Sequence, residues 1–161
     1  MRVGILYWTK TGHTERAARV VADAVTAAGA EASLIDLRQD RAPDLSSFDA
    51  VVVGSPCHAG PMKFMGSGIA APVARALAAL PSGSLAGKRG AAFSVNAGYG
   101  GARTIASIER ILRDAGATVA FSGPVVKAGT PLSLVVGPMA SESDNQALRR
   151  FGQEVAAAGD A

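Results

Sequence analysis

Aromatic residues make up only 5% of this 161-residue chain, and cysteine occurs once. A single cysteine, Cys57, excludes an internal disulfide and any multi-thiolate metal cage, and it suits a reducing compartment, so a cytoplasmic location is expected. No apolar run approaches the roughly 20 residues that a bilayer-crossing helix needs, so no membrane span is expected. The chain begins in a strand-like apolar run and shows no cleavable signal pattern. Basic residues exceed acidic ones by only 16 to 13 and form no dense run, which gives nucleic-acid binding little support. The scarcity of aromatics does not mean a weak core. Hydrophobic residues reach 48% and charged ones only 18%, as in a packed globular protein in which alanine and glycine carry much of the packing. The length suits one domain, 1–161, that buries a core without staples.

Short apolar runs at 3–7, 32–37, 50–54, 91–95 and 117–126 are rich in Val, Ile or Phe and bounded by Gly, Pro or Ser, as buried parallel strands are. Helical spacing lies between them. Over 14–28, Ala17, Val21, Ala24, Val25 and Ala28 form one stripe opposite Arg16, Arg19 and Asp23, and Gly29 is the stop. Over 103–115 the stripe is Ile105, Ile108, Leu112 and Ala115, with Gly116 as the stop. Further helices are predicted over 71–80, with Pro72 in the first turn, and over 143–158. The crossover between 37 and 49 is too irregular to be helical. This alternation predicts an α/β, doubly wound, parallel sheet with right-handed crossovers.

Ligands of such sheets sit beyond the carboxyl ends of the strands, which draws the loops at 8–14, 55–67 and 97–103 together. The first carries Thr9, Thr11 and Thr14 around Gly12, just where a helix begins. Three hydroxyls, converging N–H groups and a helix dipole suit a phosphate, although threonines at a helix start also serve simply as caps. The loop contains neither G-x-x-x-x-G-K-[ST] nor G-x-G-x-x-G, which weakens ATP and dinucleotide readings.

The run Ile5-Leu6-Tyr7-Trp8-Thr9-Lys10-Thr11-Gly12-His13-Thr14, with Ala18 and Val21 following, resembles the flavodoxin phosphate-loop signature. Phe48-Asp49-Ala50-Val51-Val52-Val53-Gly54-Ser55-Pro56 resembles the third strand and first ring loop of that family. Gly87-Lys88-Arg89, followed by Ser94 to Gly101, resembles the fourth strand and second ring loop. The resemblance implies a flavodoxin-like three-layer sandwich, a five-stranded parallel sheet in order 2-1-3-4-5, and one noncovalent FMN. It also implies that Thr9, Lys10, Thr11, Gly12, His13 and Thr14 surround the phosphate. Ser55, Pro56, Cys57, His58, Ala59 and Gly60 then line one side of the isoalloxazine, and Asn96, Ala97, Gly98, Tyr99, Gly100 and Gly101 the other. Gly60 suits a peptide that turns as the flavin takes up an electron.

Where many flavodoxins carry an aromatic residue after the third strand, this chain has His58 or Ala59, which makes Tyr99 the better stacking candidate. Trp8 either shields the cofactor or packs on the surface. Cys57, with no resolving partner, reads as a small buried residue. The resemblance implies an electron carrier that passes electrons between a reductase and an acceptor. The alternative is an FMN-dependent NAD(P)H:quinone oxidoreductase of the tryptophan-repressor-binding-protein type, with NAD(P)H and quinone as partners; a domain that has lost FMN is a third class. No catalytic residue and no metal are expected. Lys10, His13, His58, Lys63, Arg103 and Lys127 fall in the loops of the expected flavin edge at 8–14, 55–67, 97–103 and 127–141, where no Asp or Glu occurs. That pattern predicts a positive edge and acidic partners.

Overall fold

The computed structural model describes residues 1–38, 43–57, 68–129 and 137–157. Its strands are β1 (Arg2–Tyr7), β2 (Glu31–Asp36), β3 (Ala50–Pro56), β4 (Arg89–Asn96) and β5 (Val125–Lys127). Its helices are α1 (His13–Ala27), α2 (Ala71–Ala78), α3 (Gly101–Asp114) and α4 (Glu142–Ala157). All strand pairs are parallel, in the order β2-β1-β3-β4-β5. This is the flavodoxin-like sandwich expected from the sequence. The described part of 37–49 contains no helix.

Period-two alternation sends each inner strand into two cores. Val3, Ile5, Ala50, Val52, Ala91, Phe93 and Val95 face α1 and α4. Leu6, Val51, Val53 and Ala92 face α2 and α3. The first core is built by close approach. A Cβ at Gly152 of α4 would lie 2.7 Å from Ala24 Cβ and 2.8 Å from the Val21 carbonyl oxygen of α1. Gly152→Val is therefore expected to push the two helices apart and cost about 1–3 kcal/mol, measurable by urea denaturation.

The run at 117–126 is not one strand. Thr118 pairs with the start of β4, its N–H donating to Lys88 O and its carbonyl accepting from Gly90 N, but regular pairing resumes only at Val125. Pro124 has no N–H to offer a ladder, and Gly123 is so close to the Ala92 carbonyl that no side chain fits there. Apolar composition alone hid that interruption.

Candidate functional site

β1, β3, β4 and β5 end on the same edge, and each of the four is followed in the chain by a helix. After β1, Gly12 is the N-cap of α1 in a left-handed conformation, φ 87°, and no side chain caps the helix. The threonines are not caps. Thr9 Oγ1 instead accepts the Gly12 N–H at 2.9 Å, which folds the loop back on itself, and Gly12 O accepts the Arg16 N–H at 3.0 Å. Thr9 and Thr14 are buried, Thr11 is half-buried and Lys10 is exposed. Nothing lies within 4 Å of the point where a Gly12 Cβ would stand. The helix's first N–H groups, which have no acceptor inside the helix, open onto this loop.

The β3 and β4 loops are laced together. The Cys57 N–H donates to Val95 O, and Cys57 Sγ lies 3.6 Å from Tyr99 O. A Cβ at Gly100, φ 95°, would come within 2.9 Å of that sulfur. The thiol is half-buried rather than buried, as the sequence had suggested. Ser55 is fully buried, its hydroxyl accepting the Ala70 N–H and donating to Pro56 O, so it braces the loop from inside. Pro56 is half-buried at the end of β3. Asn96 is buried with Oδ1 lacking a partner among the described residues, and its amide nitrogen would meet a Gly101 Cβ at 3.1 Å. Asn96 and Gly101 thus join the end of β4 to the start of α3. Ala97, Gly98 and Tyr99 are exposed between them, Tyr99 at 60%. Trp8 packs, half-buried, against the α2/α3 core. His58, Ala59, Gly60 and Lys63 lie outside the described residues.

The sequence missed Ile69, which bridges to Cys57, and Gly129 after β5, which lies against the His13 ring. Only the glycine itself was a local signal at 129.

Two expectations about charge change. His13 is buried, and burial, then the Arg16 guanidinium, lower its pKa, so the imidazole is neutral at pH 7 and adds no positive charge. The edge also carries an acid at the end of β2, Asp36, but Arg38 holds it, Nε to Oδ2 at 2.6 Å. Lys10, Arg103 and Lys127 remain exposed at or beyond the ends of β1, β4 and β5, and the described loops after β1, β3, β4 and β5, 8–12, 57, 97–100, 128–129 and 137–141, contain no Asp or Glu.

Residues 4–65 match the family model of the flavodoxin domain. A comparison with curated proteins finds no match. Among solved structures, oxidised flavodoxin 2 from Bacillus cereus is 21% identical with a TM-score of 0.77, covering 98% of this chain and 99% of that one. Two-electron reduced Megasphaera elsdenii flavodoxin is 25% identical with a TM-score of 0.67, covering 94% and 98%. The rubredoxin oxygen:oxidoreductase from Desulfovibrio gigas is 24% identical with a TM-score of 0.74, over 98% of this chain but 35% of that one. With the strand order, these likenesses show a flavodoxin-like fold, and the match over 4–65 shows that the first part of the chain is similar to the flavodoxin domain. Flavodoxin family proteins bind FMN. Among the described residues, no helix is long and apolar enough to cross a membrane, and no cluster of His, Cys, Asp or Glu suits a metal.

Proposed function

We propose that this protein binds one FMN at the carboxyl edge of its sheet and carries electrons between a reductase and an acceptor. The observation that carries this reading is the hydroxyl-lined loop turned by Gly12 at the start of α1, set on the same edge as two loops joined through Cys57 and Tyr99. The open space at Gly12 and at Gly98, where a Cβ would meet nothing, fits close approach of a phosphate and of a flat ring to the main chain. Bound FMN supplies the redox chemistry. The chain's own groups hold and orient it: Thr11 and Thr14 hydroxyls and the first N–H groups of α1 at the phosphate, and the 55–60 and 96–101 segments around the ring. Tyr99 is the stacking candidate. An absorbance scan of the purified protein, with FMN content, tests the cofactor; a protein that neither contains nor takes up FMN overturns the reading.

The exposed cations Lys10, Arg103 and Lys127 favour acidic partner surfaces, and equally an anionic reductant such as NADPH. Rapid mixing with NADPH separates carrier from NAD(P)H:quinone oxidoreductase, because a carrier is not reduced directly at a catalytic rate. Lys10→Glu with Arg103→Glu is expected to lower the rate of reduction by an acidic partner several-fold at low salt and to flatten its salt dependence. Stopped-flow rates across a salt series check this. An unchanged slope removes electrostatic steering from the account.

A further inference from the structure

His13 is a buried polar side chain whose presence in the α1 loop the phosphate contacts do not explain. It is the first residue of α1, its side chain only 7% exposed, and its Nε2 is shielded with no hydrogen-bond partner among the described residues. The ring rests against Gly129: a Cβ there would stand 3.4 Å from His13 Cδ2 and 3.7 Å from Nε2. That backbone is fixed, at φ 91° and with its N–H donating to Pro138 O at 2.9 Å. The nitrogen is therefore walled in where a phosphate-binding helix begins.

The charged groups on the elements around it give a protonated imidazole no support. Lys10 in the loop, Arg16 on α1 and Lys127 at the end of β5 are all cationic, and Arg16 Nη1 is turned to Met139 Sδ at 3.1 Å. The carboxylates in the first turns of α1 and α4 are engaged elsewhere: Glu15 with Arg19, Glu142 with Arg149, and Asp144 with Ser141. No ionisable side chain occurs from 128 to 141. The protein thus keeps His13 neutral and provides no counter-charge of its own. A phosphomonoester dianion at the start of α1 is an anion of the missing kind, and an opposite charge within about 4–6 Å favours the charged form of a histidine.

We propose that His13 takes up one proton from solvent when a phosphomonoester binds, so that imidazolium and phosphate occupy the loop as a pair. This rests on the FMN reading for the location of the phosphate and extends it to a proton as co-ligand. The sign follows from linkage: if the complex holds one proton more than the free partners, affinity rises as pH falls, by up to about tenfold per pH unit between the histidine's free and bound pKa values. Without that uptake the trend reverses, because the phosphate's own second pKa, near 6, removes dianion on the acid side.

The test measures FMN and riboflavin affinity of the apoprotein from pH 8 to pH 6, in wild type and in His13→Gln, and follows the wild-type histidine ring protons by NMR with and without inorganic phosphate. The expected result is FMN binding that tightens several-fold toward pH 6, flat riboflavin binding, loss of the slope in His13→Gln, and a His13 titration moved upward by phosphate. FMN affinity that is flat or weaker toward pH 6 in wild type, or a slope that survives in His13→Gln, overturns the proposal. Absence of FMN binding at every pH defeats the cofactor reading instead, and the phosphate titration then decides the histidine question: an unmoved His13 resonance overturns the proton uptake. The same NMR experiment decides it if the variant does not fold.

Discussion

Replacing Thr11 and Thr14 together by valine is expected to weaken FMN binding by several tens to several hundred fold. Valine keeps the branched shape, and Thr14 is only 1% exposed, so the backbone of the loop should survive the change. What disappears, on the proposed reading of the loop, is two hydroxyl donors to the phosphate, worth on the order of 2–4 kcal/mol together. Thr9 makes a useful contrast. Its Oγ1 accepts the Gly12 N–H, so Thr9→Val loosens the turn itself, and its effect should reach the stability of the apoprotein as well. Fluorescence titration of apoprotein with FMN measures the first effect and urea denaturation the second. Unchanged FMN affinity in the Thr11, Thr14 double variant would remove the phosphate from this loop.

Phe93→Ala is expected to destabilise the fold by about 3–5 kcal/mol, a large part of the roughly 5–15 kcal/mol that holds a typical domain together. Phe93 is fully buried at the centre of β4, with its ring laid over Gly54 of β3. It meets Phe151 of α4 edge to face at 6.2 Å, and Phe151 in turn meets Phe121 at 5.8 Å. In a chain with so few aromatics, these three rings form one continuous contact between β4, α4 and the segment before β5. Removing the first ring leaves a cavity next to a glycine that cannot fill it. A coupled outcome sharpens the test. Gly54→Ala alone places a Cβ inside the Phe93 ring and should be strongly destabilising, whereas in the Phe93→Ala background the same methyl enters empty space and should cost little or even recover stability. Simple additivity in the double variant would show that the ring and the glycine are not matched.

The pH behaviour of the apoprotein follows from His13. Its folded-state pKa is depressed, chiefly by burial, so the folded form resists a proton that the unfolded chain accepts. The stability this contributes is complete above the unfolded value near 6.5 and declines as pH falls below it, toward the depressed folded value. Thermal unfolding at pH 7.5 and pH 5 should show a loss that is smaller in His13→Gln; equal losses would mean that the ring is freely protonated in the folded state.

Much of the architecture was legible because its signals are local. Valine and isoleucine runs of strand length, stripes at helical spacing and glycines at helix stops are set by neighbours a few residues away, and β1, β2, β3, β4 and all four helices appear within two residues of the expected bounds. The Thr9–Thr14 loop was legible for the same reason: its hydroxyls, its glycine and the helix start are contiguous. The break before β5 was not, since Pro124 interrupts a ladder only if β4 lies beside it. Nor was the state of His13. From its neighbours alone it counted as one more positive charge at the edge; Gly129, brought from the other end of the chain, buries the ring and with Arg16 makes it neutral. The sequence by itself therefore determined most of the elements, their alternation and the residue make-up of the first loop, all properties of residues close along the chain. The tertiary structure alone decided which side chains lose their water, and with it which of them carry charge, because desolvation depends on what the fold packs against a residue from elsewhere.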